Sequence, residues 1–101
     1  MATLRFSASA ETDLLEAWLY IAEDSPNAAD RMLDQIDLEA RNLLKQPKMG
    51  RVRNELANGL RSWPTSTAYL LFYFEDEQGI VVARVVHPAR DSPTVDNWPK
   101  H

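Results

Sequence analysis

Two dense β-forming runs lie close together in the second half of the chain, residues 68–74 (AYLLFYF) and 80–87 (IVVARVVH), separated only by Glu75-Asp76-Glu77-Gln78-Gly79. Aromatic and β-branched residues on either side of an acidic, glycine-containing connector predict a strand, a tight turn and a second strand. Gly79 supplies the positive-φ position that such a loop needs. Alternation puts Leu70, Phe72 and Phe74 on one face of the first strand and Tyr69, Leu71 and Tyr73 on the other. A strand that is apolar on both faces belongs inside a sheet that is covered on at least one side.

The material to cover it comes earlier. Residues 3–6 form a short β-prone stretch, followed by Ser7 at an N-cap position, with Ser9 as a competing cap. From residue 10 to 23, Leu14, Ala17, Trp18, Ile21 and Ala22 recur at helical spacing. Leu15 and Leu19 widen this stripe beyond what one neighbour would bury, so they either broaden the core face or form a surface kept for a partner. Ser25-Pro26 restarts the chain as a cap and a proline in the first turn. A second helix then runs to about Gln46, with Ala29, Met32, Leu33, Ile36, Ala40, Leu43 and Leu44 on one face. Two amphipathic helices joined by so short a break predict an antiparallel helical hairpin.

Residues 47–59 read as a loop carrying the bases Lys48, Arg51 and Arg53, either solvated or facing acids of a partner. Residues 60–63 are a short strand ended by Pro64. The order strand, helix, helix and three strands gives an α+β domain. Its helix hairpin packs on a C-terminal antiparallel sheet of three to four strands, whose other face is partly open. Residues 1–91 make the domain, and residues 92–101 an irregular tail in which Trp98 stands out as a large apolar side chain.

Composition narrows the function. The chain has no cysteine, and its two histidines, His87 and His101, have no ligand-spaced carboxylates around them, so no metal or other cofactor is expected. The longest apolar run is seven residues, against roughly 20 for a membrane-spanning helix, and the N-terminus lacks a signal-peptide layout. Residues 1–49 hold nine acids and five bases, and residues 50–101 hold six of each. A pI near 5.0 argues against nucleic acid as the main partner, because backbone binding works through basic excess. A soluble, cytoplasmic protein without a nucleotide loop or nucleophile elbow is the expectation.

Arg61 and Arg84 interrupt otherwise apolar strand rows. In residues 80–87, strict alternation groups Ile80, Val82, Arg84 and Val86 on one face and Val81, Ala83, Val85 and His87 on the other. A guanidinium in such a row meets a carboxylate or faces an open groove. His87 ends the strand as either a hydrogen-bonding residue or a general base, and Arg90-Asp91 forms a local pair that fixes the chain's exit.

Read together, Arg5-Phe6-Ser7, residues 13–18 (DLLEAW), Tyr20-Ile21-Ala22, Pro26-Asn27-Ala28-Ala29, Pro47-Lys48-Met49-Gly50-Arg51, Gly59-Leu60-Arg61, residues 69–73 (YLLFY) and residues 84–91 (RVVHPARD) form an ordered series. This series resembles the ParE branch of the ParE/RelE superfamily of bacterial type II toxin–antitoxin systems, over about residues 4–91. The resemblance implies a toxin that inhibits DNA gyrase by protein–protein contact and forms a hetero-oligomer with a ParD-like antitoxin. Arg61, Arg84, His87, Arg90 and Trp98 are then candidates for target contact, and Leu15, Leu19, Lys48, Arg51 and Arg53 for antitoxin contact. The RelE branch, which cleaves mRNA on the ribosome, gives the alternative, with Arg61, Arg84 and His87 as its catalytic set. A toxin remnant that only binds is a third reading. The strand at 68–74 carries no base and His87 is followed by proline, both departures from the ribonuclease pattern.

Overall fold

The computed structural model describes residues 2–90; Asp91, Trp98 and the proposed tail lie outside them. Strand β1 (Thr3–Phe6) leads into helix α1 (Ala8–Ala22), helix α2 (Pro26–Lys45) and a short 3-10 turn, Pro47–Met49. Strands β2 (Arg51–Val52), β3 (Leu60–Pro64), β4 (Leu70–Asp76) and β5 (Gly79–Val86) complete the chain. The strands form one five-stranded sheet in the order β1-β5-β4-β3-β2.

The sheet is larger than the sequence indicates, for two local reasons. The loop expected at residues 47–59 contributes a two-residue edge strand, which pairs Arg51 with Ser62 and Val52 with Arg61. Two residues are too few to leave an alternation pattern. Strand β1 joins as a parallel neighbour of β5, from Thr3 opposite Gly79 to Phe6 opposite Val82, so the sheet is mixed, with its other pairings antiparallel.

The helices begin where their caps dictate. Ser7 Oγ accepts from the Ala10 N–H at 3.0 Å, so Ser9 falls inside α1 rather than capping it. Ser25 Oγ accepts from the Ala28 N–H, and Pro26 occupies the first turn of α2. Trp18 Nε1 donates to Asp30 Oδ1 at 2.8 Å, and Leu14 shares a cavity with Leu33. Residues 18 with 30 and 14 with 33 are the pairings of an antiparallel hairpin.

The hairpin buries Ala17, Met32, Ile36, Ala40 and Leu43 against Tyr69, Leu71, Tyr73, Ile80, Val82 and Val85 of the sheet. The opposite sheet face is also a core, not a partly open surface. Leu60, Phe72, Phe74, Val81, Ala83 and Val86 are buried there together with Leu56, which comes from residues 53–59 folded back over the sheet. Arg53 extends this cover, its guanidinium carbon 5.7 Å from the Phe72 ring centre.

A β-bulge in β5 sets which side chains reach which core. Phe72 opposes Arg84 and Tyr73 opposes Val82, leaving Ala83 without a partner across the ladder. The extra residue shifts the phase. Val85 therefore joins Ile80 and Val82 under the helices, while Val86 joins Val81 and Ala83 on the other side, the reverse of strict alternation. Arg84 lies beyond the end of β1, where the outer edge of β5 is open. There Asp13 of α1 receives it: Arg84 Nε donates to Oδ2 at 2.7 Å and Nη2 to Oδ1 at 2.9 Å. The Val85 N–H donates to the same Oδ2 at 2.9 Å. Ser7 Oγ, besides capping α1, donates to the Ala83 carbonyl at 2.7 Å.

Two further anchors fix the loops. Glu39 of α2 accepts from Gln35 Nε2, Trp63 Nε1, and the Ser66 N–H and Oγ, which ties the β3–β4 connection to the helices. Tyr73 donates to the Pro47 carbonyl at 2.7 Å and accepts from the Gly50 N–H at 2.9 Å. Burial pushes the Tyr73 phenol above its ordinary value of 10.0, keeping it a donor, although the Gly50 N–H and Arg61 pull the other way. A Cβ at Gly50 would overlap the Tyr73 hydroxyl.

Two stability outcomes follow. Gly79 has φ +138°, and a Cβ there would meet the backbone of Thr3. Gly79→Ala is expected to cost about 2–3 kcal/mol, from strain plus lost β1 pairing, measured by urea denaturation. Partial burial alone would raise the Glu39 carboxyl, but the donors from Gln35, Ser66 and Trp63 outweigh it and hold it below 4.5. A depressed carboxyl stabilises the fold above its unfolded value and loses that contribution as pH falls through its folded value. Glu39→Gln should therefore cost about 1 kcal/mol at pH 7, with the deficit closing below pH 4.5. A pH-independent difference would refute this assignment.

Candidate functional site

The residues that sequence reasoning nominates fall into three separate regions. The first is the hairpin surface. Leu15 and Leu19, one turn apart on α1, are 59% and 53% exposed. Leu15 also borders an open cavity of about 380 Å³ between the helices, lined by Glu11, Leu14, Trp18 and Leu33 as well. Leu14 and Leu33 are partly buried against the helix–sheet core, as their helical spacing predicts, and with Trp18 they also wall this cavity. The i,i+4 step from Leu14 to Trp18 was the available sign of a groove, since it becomes one only when the antiparallel pairing sets Leu33 opposite.

The second region is the β2 edge. Arg51 and Val52 are exposed there, and Lys48 reaches Glu75 Oε1 at 3.2 Å across well-hydrated surface. Such an exposed pair contributes little to stability. Arg53 is more committed, bonding Glu55 at 2.7 Å and stacking on Phe72. Glu55 is held below the ordinary carboxylate value by that Arg53 bond first. Arg61 belongs to this end of the molecule. Its Nη1 donates to the Gly50 carbonyl at 2.8 Å and to that of Lys48 at 3.2 Å. Arg61 thus holds the turn before β2 in place.

The third region lies where β5 ends. His87 packs edge-on against Tyr69, with ring centres 5.3 Å apart, and its Nδ1 is buried without a partner among the described residues. Arg90 donates to the Tyr69 hydroxyl at 2.6 Å, and its guanidinium carbon lies 4.0 Å from the Tyr20 ring centre. Arg90 thus meets two tyrosines; its expected partner Asp91 is outside the described residues. A small cavity of about 180 Å³ runs between Asp13, Glu16, Ala17, Tyr69, Val85 and Arg90. Tyr69 and Tyr20, which tie α1 to the chain's exit, were not singled out from sequence, because an aromatic in a strand or helix reads first as core.

Arg84, His87 and Arg90 sit along one stretch, whereas Arg61 lies on β3, across from Tyr73 and separated from β5 by β4. The set Arg61, Arg84 and His87 is not gathered into one cleft. Among the described residues no three His, Asp or Glu side chains are placed to hold a metal ion, and no helix is long and apolar enough to cross a membrane.

Comparison with known proteins agrees with this architecture. No curated protein matches the chain. A solved structure described as the chromosomal ParDE TA system from P. aeruginosa is similar, with a TM-score of 0.72 at 18% identity over 86% of this chain and 96% of that one. At that identity the likeness speaks for the fold. The family model described as the ParE toxin of the type II toxin–antitoxin system parDE matches residues 4–92. With nearly the whole chain matched, on a fold that agrees, the chain belongs to the ParE toxin family of type II toxin–antitoxin systems.

Proposed function

We propose that the chain arrests growth in the cytoplasm by gripping a protein, a type II topoisomerase of the DNA gyrase kind, and that a ParD-like antitoxin neutralises it. The observation that carries the reading is the employment of the strand arginines. Cleaving a phosphodiester needs a base for the 2′-hydroxyl and cations aimed at the developing phosphate charge. Arg84 is instead locked to Asp13, and Arg61, on another strand, to the backbone carbonyls of Lys48 and Gly50 in the turn before β2. Committed in this way, both serve the framework. The acidic overall balance also disfavours a ribosomal RNA surface.

Target contact then falls to the end of β5, where Arg90 is exposed beside His87, and to Trp98 beyond the described residues. Antitoxin contact falls to Leu15 and Leu19 on the hairpin and to Lys48, Arg51 and Arg53 at the β2 edge. Acids of the antitoxin would meet these bases.

Purified chain added to gyrase, ATP and relaxed plasmid is expected to block supercoiling or to trap cleaved DNA. Addition of the antitoxin should restore the reaction. Unimpaired supercoiling, with shortened translated mRNAs in expressing cells that His87→Ala restores to full length, would instead establish the ribonuclease. Normal growth on expression without antitoxin would leave only a binding module.

A further inference from the structure

We infer that Arg90 is a preset two-pronged receptor for a carboxylate, an aspartate or glutamate side chain of the protein that the chain grips. The inference rests on the proposed target contact at the end of β5 for the existence of that protein; the geometry of the receptor stands independently. Arg90 is exposed, yet it is held at three points. Its backbone N–H donates to the His87 carbonyl at 3.0 Å, closing a turn in which Pro88 takes the position that proline favours. Its guanidinium carbon lies 4.0 Å from the Tyr20 ring centre, and Nη2 donates to the Tyr69 hydroxyl at 2.6 Å. Tyr69 is buried in the helix–sheet core, with His87 edge-on against it, so the third pin is anchored inside the fold. An ordinary surface arginine gives up rotamer freedom when it binds; here folding has already removed much of it.

What remains is a fork. A guanidinium carries five N–H groups, two of them on each Nη. One Nη2 N–H goes to Tyr69, and the contact with Tyr20 is made through the ring face. The second Nη2 N–H still runs parallel to an N–H of Nε or of Nη1, so one edge keeps a pair of donors. No carboxylate among the described residues takes that edge, whereas Arg5, Arg41, Arg53 and Arg84 each have one. Two parallel N–H groups match a planar carboxylate. Arg90 also borders the cavity of about 180 Å³, room for a short side chain.

Charge selects among anions. Glu16 lines the same cavity and is exposed, and the chain as a whole is acidic. A nucleic-acid backbone would bring many charges against that surface with no basic excess to hold them. A single carboxylate needs only the fork.

The test uses the full chain, with gyrase binding followed by surface plasmon resonance. Acetate serves as the minimal carboxylate, followed through the Arg90 Nε–H resonance. Arg90→Gln should weaken gyrase binding about 10- to 100-fold, the range for losing hydrogen bonds to a charged group. Arg90→Lys should recover little of that loss, because an ammonium has no fork. Tyr69→Phe keeps the ring and the arginine but removes one pin, and should weaken binding several-fold. Acetate should move the Arg90 resonance, and chloride at the same ionic strength should not.

Full affinity in the Arg90→Lys chain would show that charge alone is read and would overturn the inference. So would acetate that acts only after Asp91→Asn, because the chain's own Asp91 would then fill the fork. Duplex DNA that the parent chain binds and the Arg90→Gln chain releases would make the anion a phosphate, with the same consequence. Gyrase held equally by the parent and Arg90→Gln chains sinks the receptor and leaves the toxin reading intact. A chain indifferent to gyrase whose Arg90 still takes acetate and not chloride does the opposite.

Discussion

The carboxylate of Asp13 is the point at which helix, strand and bulge are made to agree. It accepts both arms of the Arg84 guanidinium and the Val85 N–H, a three-donor arrangement at the one stretch of β5 that β1 does not cover. A backbone N–H left unpaired at a partly buried strand edge would cost about 1–3 kcal/mol, and an unpaired guanidinium more. Ser7 closes the other side of the same junction by capping α1 and donating to the bulged Ala83. Once α1 is fixed there, the short link through Ser25-Pro26 leaves α2 little choice but to lie alongside it.

That junction also decides what the strand arginines can do. A charge bound on two sides by a carboxylate, in a site where Asp13 is 13% exposed, is a poor candidate for meeting a new anion in each encounter. Arg61 is occupied differently, by carbonyls that have no other reason to converge, and the turn before β2 is built on it. The employment of both arginines in the framework is the ground for the proposed reading, in which the chain acts by holding other proteins. The exposed leucines of α1 and the Arg90–Tyr20 stack at the end of β5 are distinct patches, which suits the proposed pair of antitoxin and target contacts.

Much of this was legible in the residues. The helix hairpin followed from apolar periodicity and the serine caps, and the two-faced core of β4 from the alternation of Tyr69, Leu71 and Tyr73 with Phe72 and Phe74. The edge strand β2 was not, because two exposed residues carry no period. Parallel pairing of β1 was equally hidden, since four residues show no direction. The bulge at Ala83 was the costliest omission. Nothing in a valine-rich run with a single alanine marks where one residue drops out of the ladder, so Val85 and Val86 exchanged faces relative to simple alternation. The carboxylate partner of Arg84 lies 71 positions away in sequence, and only the assembled sheet identifies it as Asp13.

The most direct test of this account is a double-mutant cycle on Asp13→Asn and Arg84→Gln, read by urea denaturation at pH 7. The lock described here predicts a coupling of about 1–3 kcal/mol between the two positions. Additive losses, within about 0.3 kcal/mol, would show that the pair is incidental and that α1 is held to the sheet by apolar burial alone.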